Sequence, residues 1–564
     1  MSHHSFRHTL LAMAVFASLN SIPVLAYAEA ESAPAAMATE PPVADTPAPE
    51  DTAPPPPEER FSILEFLVDG NSVLTSRDIE TTVYPFMGPG KTLTDIQNAR
   101  KALEEAYHKA GFKTVRVTIP LQKVTAGRVR LQVTESRLGK VRVLGSRYFL
   151  PSRIREELQA LSPGSVVHLP SLQSELSALN RSTKDLQVTP VFRAGTTPGT
   201  VEVDLRVRDS FPLHASLELN NRASAGTENL RAVGTVRYDN LWQLEHSFAL
   251  LYQTSPQDTD QVSALSATYL FRSNNALDMT AFYALRSSSD LAVLSGSTVI
   301  GDGNIFGLRK FYTLPPAPGL QHSLSLGVDY KDFTENVVFG TDRITTPIRY
   351  LPFSVLYNST RVRSGATTQF NAGLNFHLRG VLDRTVDCVG QQLDQFLCKR
   401  YGASANYAAL RLDAAHQQEV LGSWTLALSG DAQVASGPLI SNEQYGIGGF
   451  ASVRGYPEAA RLGDAGWRAT VELRTPSWVN NPGRGHDLYG LLFFDYGRAF
   501  VYEQLNKFDP GVESRYRLSG AGLGLRFKAW RQLKGDVYAA TAFFDGPETQ
   551  SGDKRVHFRI EYGF

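Results

Sequence analysis

The carboxyl-terminal segment of the chain alternates strictly between apolar and polar residues. Within residues 556–564, five apolar residues alternate with His, Arg, Glu and Gly. This period of two is typical of a β-strand with one apolar and one polar face. Strands of transmembrane β-barrels have this pattern, because one face meets lipid and the other lines the lumen. The alternation therefore predicts the closing strand of an outer-membrane β-barrel, with Phe558, Ile560, Tyr562 and Phe564 as its apolar signal.

The amino-terminal residues predict export from the cytoplasm. Arg7 and three histidines precede an apolar run over residues 10–19, and residues 26–28 (Ala-Tyr-Ala) form a small-x-small cleavage pattern. We therefore expect residues 1–28 to be a signal peptide. No later stretch reaches the 18 or more apolar residues of a transmembrane helix. A signal peptide also fits a soluble periplasmic protein, so the alternating strands carry the barrel prediction.

Composition excludes several classes of protein. The chain has 56 basic and 56 acidic residues, so no nucleic-acid partner is expected. The mean hydropathy of −0.20 fits a barrel, whose apolar residues are hidden in alternation. The two cysteines, Cys388 and Cys398, lie in a polar stretch, and in an exported protein a disulfide is favoured over two free thiols. They do not form a metal-ligand pattern, so neither a metal nor a cofactor is predicted.

The region between the signal peptide and the barrel divides into a linker and two α/β modules. Residues 29–60 are rich in Pro and Ala and predict an extended tether. Residues 61–136 form the first predicted module, and residues 137–210 repeat its order of strands and helices. The barrel then occupies residues 211–564.

The modules contain recognisable amphipathic elements. A helix is predicted over about residues 94–110, with Thr94 as its N-cap and with Ile96, Leu103 and Tyr107 on one apolar face. In the second module, helices are predicted around 152–161 and 170–179, and strands over 188–192 and 200–207.

The barrel region predicts about sixteen antiparallel strands. The spacing of roughly 22 residues per strand and connection suits strands of about ten residues. Counting back from the last strand places the long segments 437–466 and 381–404 on the extracellular side. An even number of strands returns both barrel ends to the periplasm. A soluble β-sandwich array is the alternative.

One motif within the longest loop connects this pattern to a family. The tetrapeptide Val453-Arg454-Gly455-Tyr456, two α/β modules and a barrel ending in Phe together resemble the two-partner secretion transporters (TpsB family), within the BamA-like superfamily. The modules resemble POTRA domains, which bind polypeptides in the periplasm. Further matches are Leu179-Asn180-Arg181, Pro198-Gly199-Thr200, Asp239-Asn240-Leu241 and Thr254-Ser255-Pro256.

The resemblance implies a specific pairing inside the pore. In the superfamily the arginine of the motif meets an acidic residue on the inner wall, and Asp495 is the matching residue here. Alternation along that strand independently points Phe493, Asp495 and Gly497 inward, because an aspartate that faced lipid would be costly. The resemblance therefore implies an ion pair between Arg454 and Asp495 that holds the loop inside the barrel.

The same resemblance implies the function and the partners. A two-partner transporter exports one large β-rich partner (TpsA type) with an N-terminal secretion domain, and the barrel-assembly machinery inserts the transporter into outer-membrane lipid. Partner contacts are expected on the helix face and edge strand of the modules, at Ile96, Leu103, Tyr107, Val188 and Phe192, by β-augmentation. These apolar residues could instead form the cores of the modules.

Three other functions compete with export. A BamA-like factor that assembles outer-membrane proteins usually carries more modules than two. A passive porin would need neither modules nor the loop motif. An enzyme is disfavoured, because the sequence has no GxSxG, HExxH or Walker-type motif and thus no candidate catalytic residue.

Overall fold

A computed structural model describes residues 60–564, apart from 125, 273–277, 290–291, 295–296, 300–301, 316, 340–341, 383, 389, 480–484, 503–512 and 531. The predicted signal peptide and nearly all of the predicted linker lie outside the described residues. The chain forms two compact units that divide between Pro212 and Leu213. Within the described residues, no helix is both long enough and apolar enough to cross a membrane.

The first module is a three-stranded sheet packed against helices. The sheet contains Glu65–Asp69, Arg128–Glu135 and Val115–Thr118 in that order, and Phe61–Ile63 pairs with Gly88–Lys91 beside it. The helices are Ser76–Val83, the 3-10 turn Tyr84–Phe86, and Leu93–Lys109.

The N-cap of the helix Leu93–Lys109 lies two residues earlier than predicted. The cap is Thr92 and not Thr94, because the backbone N–H of Thr92 donates to the Asp95 carboxylate (2.8 Å). The helix ends before Gly111, whose φ of +94° suits glycine. The 3.6-residue period therefore predicted the extent of the helix well, whereas the predicted N-cap residue was wrong.

The second module repeats this plan. Its sheet contains Arg137–Leu144, Thr200–Asp209 and Leu186–Ala194 in that order, and its main helix is Leu169–Ser182. The helix predicted over 152–161 is wrong in extent. It is a short helix, Pro151–Glu156, followed by the 3-10 turn Gln159–Leu161, because Leu158 between them leaves the helical conformation (ψ 70°).

The second unit is a closed antiparallel barrel, which confirms the predicted fold. Sixteen strands close it when Asp342–Tyr350 and Phe353–Arg363 are counted as one, since both pair with Leu320–Phe339. In order, the strands are Leu213–Asn220, Arg231–Leu241, His246–Thr254, Val262–Arg272, Met279–Ser289, Asp302–Thr313, Leu320–Phe339, Asp342–Tyr350 with Phe353–Arg363, Ala366–His377, Tyr407–Val420, Trp424–Ala435, Ala465–Arg474, Asp487–Phe500, Arg515–Ala529, Leu533–Ala542 and Lys554–Gly563.

Short elements lie in the connections of the barrel. They are the hairpins Ala292–Leu294 with Ser297–Val299, Thr385–Cys388 with Gln391–Asp394 and Tyr445–Ile447 with Arg461–Gly463, the helix Gln395–Lys399, and the 3-10 turns Leu421–Ser423 and Ser441–Glu443. Leu213 and Phe564 lie at one end of the barrel, which we call the near end. The long connections 378–406 and 436–464 lie at the opposite, far end.

Alternation along the last strand produces the two faces of the wall. Val556 and Phe564 expose 56% and 68% of their surface, whereas His557, Arg559 and Glu561 are buried on the inner side. The strand pairs with Leu213–Asn220 and closes the barrel. The apolar side chains thus form the outer face, as a lipid-facing wall requires.

Candidate functional site

The connection 436–464, which we call the pore loop, folds into the lumen of the barrel. It joins the strands Trp424–Ala435 and Ala465–Arg474. All four motif residues within it are buried, and Val453 and Tyr456 expose none of their surface. Their neighbours are inward-facing residues of barrel strands, so the loop is part of the interior of the barrel.

Arg454 is fixed by Asp495 on the inner wall. Its Nε and one terminal nitrogen donate to the two carboxylate oxygens of Asp495 at 2.7 and 2.8 Å, and its backbone N–H donates to Oδ2 at 3.1 Å. Asp495 is fully buried in the strand Asp487–Phe500. A bidentate guanidinium–carboxylate pair combines strength with a fixed geometry. This contact holds both the side chain and the backbone of the motif against the wall.

A second carboxylate and two aromatic rings complete the surroundings of Arg454. Its remaining terminal nitrogen donates to Glu472 at 2.8 Å. The guanidinium carbon lies 3.5 Å from the centre of the Phe493 ring and 5.0 Å from that of Tyr538. Burial acts to lower the pKa of Arg454, but the hydrogen bond and charge of Asp495 outweigh it, so its pKa is raised and the group stays charged.

Glu472 is shared by three arginines. Besides Arg454, it accepts from Arg474 at 2.6 Å and from Arg526 at 3.0 Å. Because both carboxylates beside the motif are occupied by arginines, neither is free to hold a metal ion. The site is a charge network that positions a loop.

The other motif residues fit closely against the wall. The N–H of Gly455 donates to Nε2 of His557 at 2.9 Å, and the φ of Gly455 is +103°, which favours glycine. The Tyr456 hydroxyl donates to the carbonyl of Phe544 at 2.8 Å. A Cβ on Gly497 would lie 3.0 Å from the Val453 side chain. The inward position of Gly497 therefore makes room for the loop.

The pore loop also contacts the last strand and the residues that directly follow the first strand, where the barrel closes. Glu458 accepts from Arg222 at 3.2 Å, and its N–H donates to the carbonyl of Ala223, just beyond the first strand. Gly455 contacts His557 on the last strand. The loop therefore touches the wall on either side of the closing pair of strands.

Sequence reasoning found Arg454 and its partner on the wall but missed several other residues of the site. Glu472 lies on an alternating strand, so its inward direction could have been inferred from Val471 and Leu473 on either side. His557 could likewise have been placed inward. No sequence pattern pointed to Glu458, because its contact with Arg222 depends on the path of the loop.

The expected partner-binding residues of the modules need a correction. Ile96, Leu103, Tyr107 and Val188 are almost fully buried and form the module cores, so they cannot offer a surface to a partner. Their spacing marks the face of each element that packs inward. Phe192 differs, with 37% of its surface exposed.

Cys388 and Cys398 form a disulfide in the far-end connection 378–406. The short helix Gln395–Lys399 contains Cys398 and ends one residue after it. Phe396 of this helix is buried against the inward-facing ring of Tyr350, 5.7 Å away between centroids. The cysteine-bearing segment therefore turns inward at the far end of the barrel.

Comparison with known proteins identifies the family. The protein-family model described as haemolysin secretion/activation protein ShlB/FhaC/HecB matches residues 199–527, which is more than half of the chain. The chain belongs to this family. A second model, described as a POTRA domain of ShlB type, matches residues 61–136, the first α/β module of this two-partner secretion transporter.

Individual relatives support this assignment to the family. Proteins named outer membrane transporter CdiB, from Escherichia coli O6:K15:H31 (strain 536) and Dickeya dadantii (strain 3937), are 23% and 21% identical to it. Each alignment covers 74% of this chain, and 69% and 73% of the respective relative.

Solved structures share the fold. CdiB from Escherichia coli superposes with a TM-score of 0.59 at 19% identity, over 92% of this chain and 93% of that one. BamA from Haemophilus ducreyi lacking POTRA domains 1–3 gives 0.54 at 11% identity, over 89% of this chain and all of that one.

Proposed function

We propose that this transporter captures an unfolded, β-rich partner protein in the periplasm and exports it through the barrel to the cell surface. The observation that carries the proposal is the pore loop, which occupies the lumen and is held there by a buried ion-pair network. A loop held by reversible contacts suits a pore that opens for a cargo.

The second module offers a capture surface. The strand Leu186–Ala194 lies at the edge of its sheet, and Phe192 on it is exposed. An edge strand presents unpaired backbone groups that an extended peptide can pair with. We propose that the partner adds a strand here, and that Phe192 contacts its side chains.

The proposed orientation of the barrel in the outer membrane follows from capture in the periplasm and release outside the cell. The near end of the barrel, which receives the chain from the modules, would face the periplasm. The far end, with the disulfide segment, would face the outside. Export would then draw its direction from folding of the partner outside the cell, since the sequence contains no nucleotide-binding motif.

Assembly of outer-membrane proteins is the second candidate function. It rests on the likeness to BamA, which shows only the shared fold. The presence of two α/β modules favours export.

A secretion assay tests the proposal. Cells that lack the transporter are complemented with wild-type protein or with empty vector, and express a large β-rich protein with an N-terminal secretion domain as the candidate partner. The proposal predicts partner in the medium only with the transporter, and unchanged amounts of porins in the outer membrane. Loss of porins without the transporter, with no effect on the partner, would instead indicate an assembly factor.

A further inference from the structure

A second buried carboxylate of the pore loop contacts the wall before the motif is reached. Glu443 ends the 3-10 turn Ser441–Glu443 and exposes only 3% of its surface. Its Oε1 accepts from the Lys331 ammonium at 2.6 Å and from the Tyr350 hydroxyl at 2.8 Å. A buried carboxylate requires such partners, because a lone charge inside the protein is costly.

This contact lies on a different part of the wall from the motif. Lys331 and Tyr350 face each other on the seventh and eighth strands. Glu472 and Asp495, which hold Arg454, belong to the twelfth and thirteenth strands. Together with the Glu458–Arg222 pair near the barrel closure, the loop therefore has charged contacts on separate sides of the lumen.

Further contacts, including one from the Arg411 guanidinium to the Glu443 carbonyl at 3.3 Å, fix the backbone around Glu443. Its carbonyl accepts from Nε2 of Gln433 at 3.1 Å, and Gln433 is itself buried. The preceding residues Leu439 and Ile440 pack into an apolar cluster at the wall. Glu443 thus belongs to a well-packed segment, and its charge pair is aligned by its surroundings.

We propose that Glu443 and Lys331 form a second ionic anchor of the pore loop, independent of Arg454. Both are positioning residues, and the inference rests on the proposed function of the loop. When only the Arg454 contact breaks, the segment around Glu443 remains attached and the lumen opens in part. Full opening requires this anchor to separate as well as the contacts of Arg454 and Glu458, so an entering partner displaces the loop in more than one step.

Single-channel conductance in planar bilayers tests this anchor. Glu443→Gln and Lys331→Met should each raise the frequency of conductance transitions about tenfold, as expected when a hydrogen bond to a charged group is lost. Each variant combined with Arg454→Ala should show a larger open conductance than Arg454→Ala alone. The charge exchange Lys331→Glu with Glu443→Lys should restore the low frequency of conductance transitions of the wild type.

Lys534→Met is the matched control. Lys534 forms a similar Lys–Glu pair with Glu561 at 3.2 Å, but it links the last two strands and not the pore loop. This variant should conduct like the wild type. Heat-dependent migration in gel electrophoresis verifies a folded barrel in every case, and if Glu443→Gln does not fold, Lys331→Met tests the same pair from the wall.

Two results would overturn the second anchor. One is wild-type conductance in Glu443→Gln and Lys331→Met. The other is that the double variant Lys331→Glu with Glu443→Lys shows conductance transitions as frequent as those of the single variants. If Arg454→Ala disturbs conductance and export while Glu443→Gln changes neither, the anchor is refuted and the export function stands. If the anchor variants behave as expected but the wild type exports no partner, the proposed function is the part that fails.

Discussion

At the scale of single residues, the site depends on the shape of one guanidinium group. Arg454 satisfies Asp495 with two nitrogens and Glu472 with the third, while its flat face lies against Phe493. A lysine carries the same charge but lacks the rigid fork. A lysine could therefore not reproduce the two parallel hydrogen bonds to the buried Asp495, whereas Glu472 would keep Arg474 and Arg526 as partners.

Substitution of Arg454 by lysine tests this geometry. We expect Arg454→Lys to resemble Arg454→Ala more than the wild type in bilayer conductance, with a loss of loop stability of about 2–3 kcal/mol. Arg515→Lys, on the strand after the site, is a control that should change nothing, because the side chain of Arg515 is exposed. Wild-type conductance of Arg454→Lys would show that the fork is not needed.

A glycine of the wall sets how closely the loop can approach. A Cβ on Gly520 would lie 2.0 Å from the carbonyl oxygen of Arg454, so Gly520→Ala must displace the loop. Gly234→Ala is the matched control, since no atom lies within 4 Å of its added Cβ. We expect altered conductance for Gly520→Ala only. Equal behaviour of the two variants would contradict the close fit.

At the scale of elements, one strand carries both a core residue and a surface residue. Val188 and Phe192 lie on the edge strand Leu186–Ala194, but Val188 is buried and Phe192 is exposed. Apolar periodicity identified both positions and could not separate these roles. Periodicity indicates which face of a strand packs inward. It does not show that an apolar residue such as Phe192 is exposed on an edge strand, which only the structure reveals.

The two residues should respond differently to truncation. Val188→Ala removes buried methyl groups and should destabilise the second module by about 1–3 kcal/mol, seen as faster limited proteolysis of the purified protein. Phe192→Ala should leave proteolysis unchanged but weaken photo-crosslinking of the partner to this strand. Unchanged crosslinking in Phe192→Ala would exclude it from the capture surface.

At the scale of the whole molecule, local patterns predicted the fold well. Alternation with a period of two gave the barrel and its sixteen strands, and it correctly pointed Asp495 inward. The partner of Asp495 came from the resemblance of the loop motif. Glu443, Glu458 and Glu472 remained unrecognised as contacts of the loop or its motif, because a loop that crosses a lumen is positioned by residues far away in sequence.

The most direct test of the account compares channel conductance for the wild type, Arg454→Ala, Asp495→Ala and the double variant. Because the two side chains form one contact, the single variants should alter conductance in the same way, and the double variant should add little. Export of the partner should fall in parallel. If both single variants conduct and secrete like the wild type, the ion pair does not hold the pore loop, and the account is contradicted.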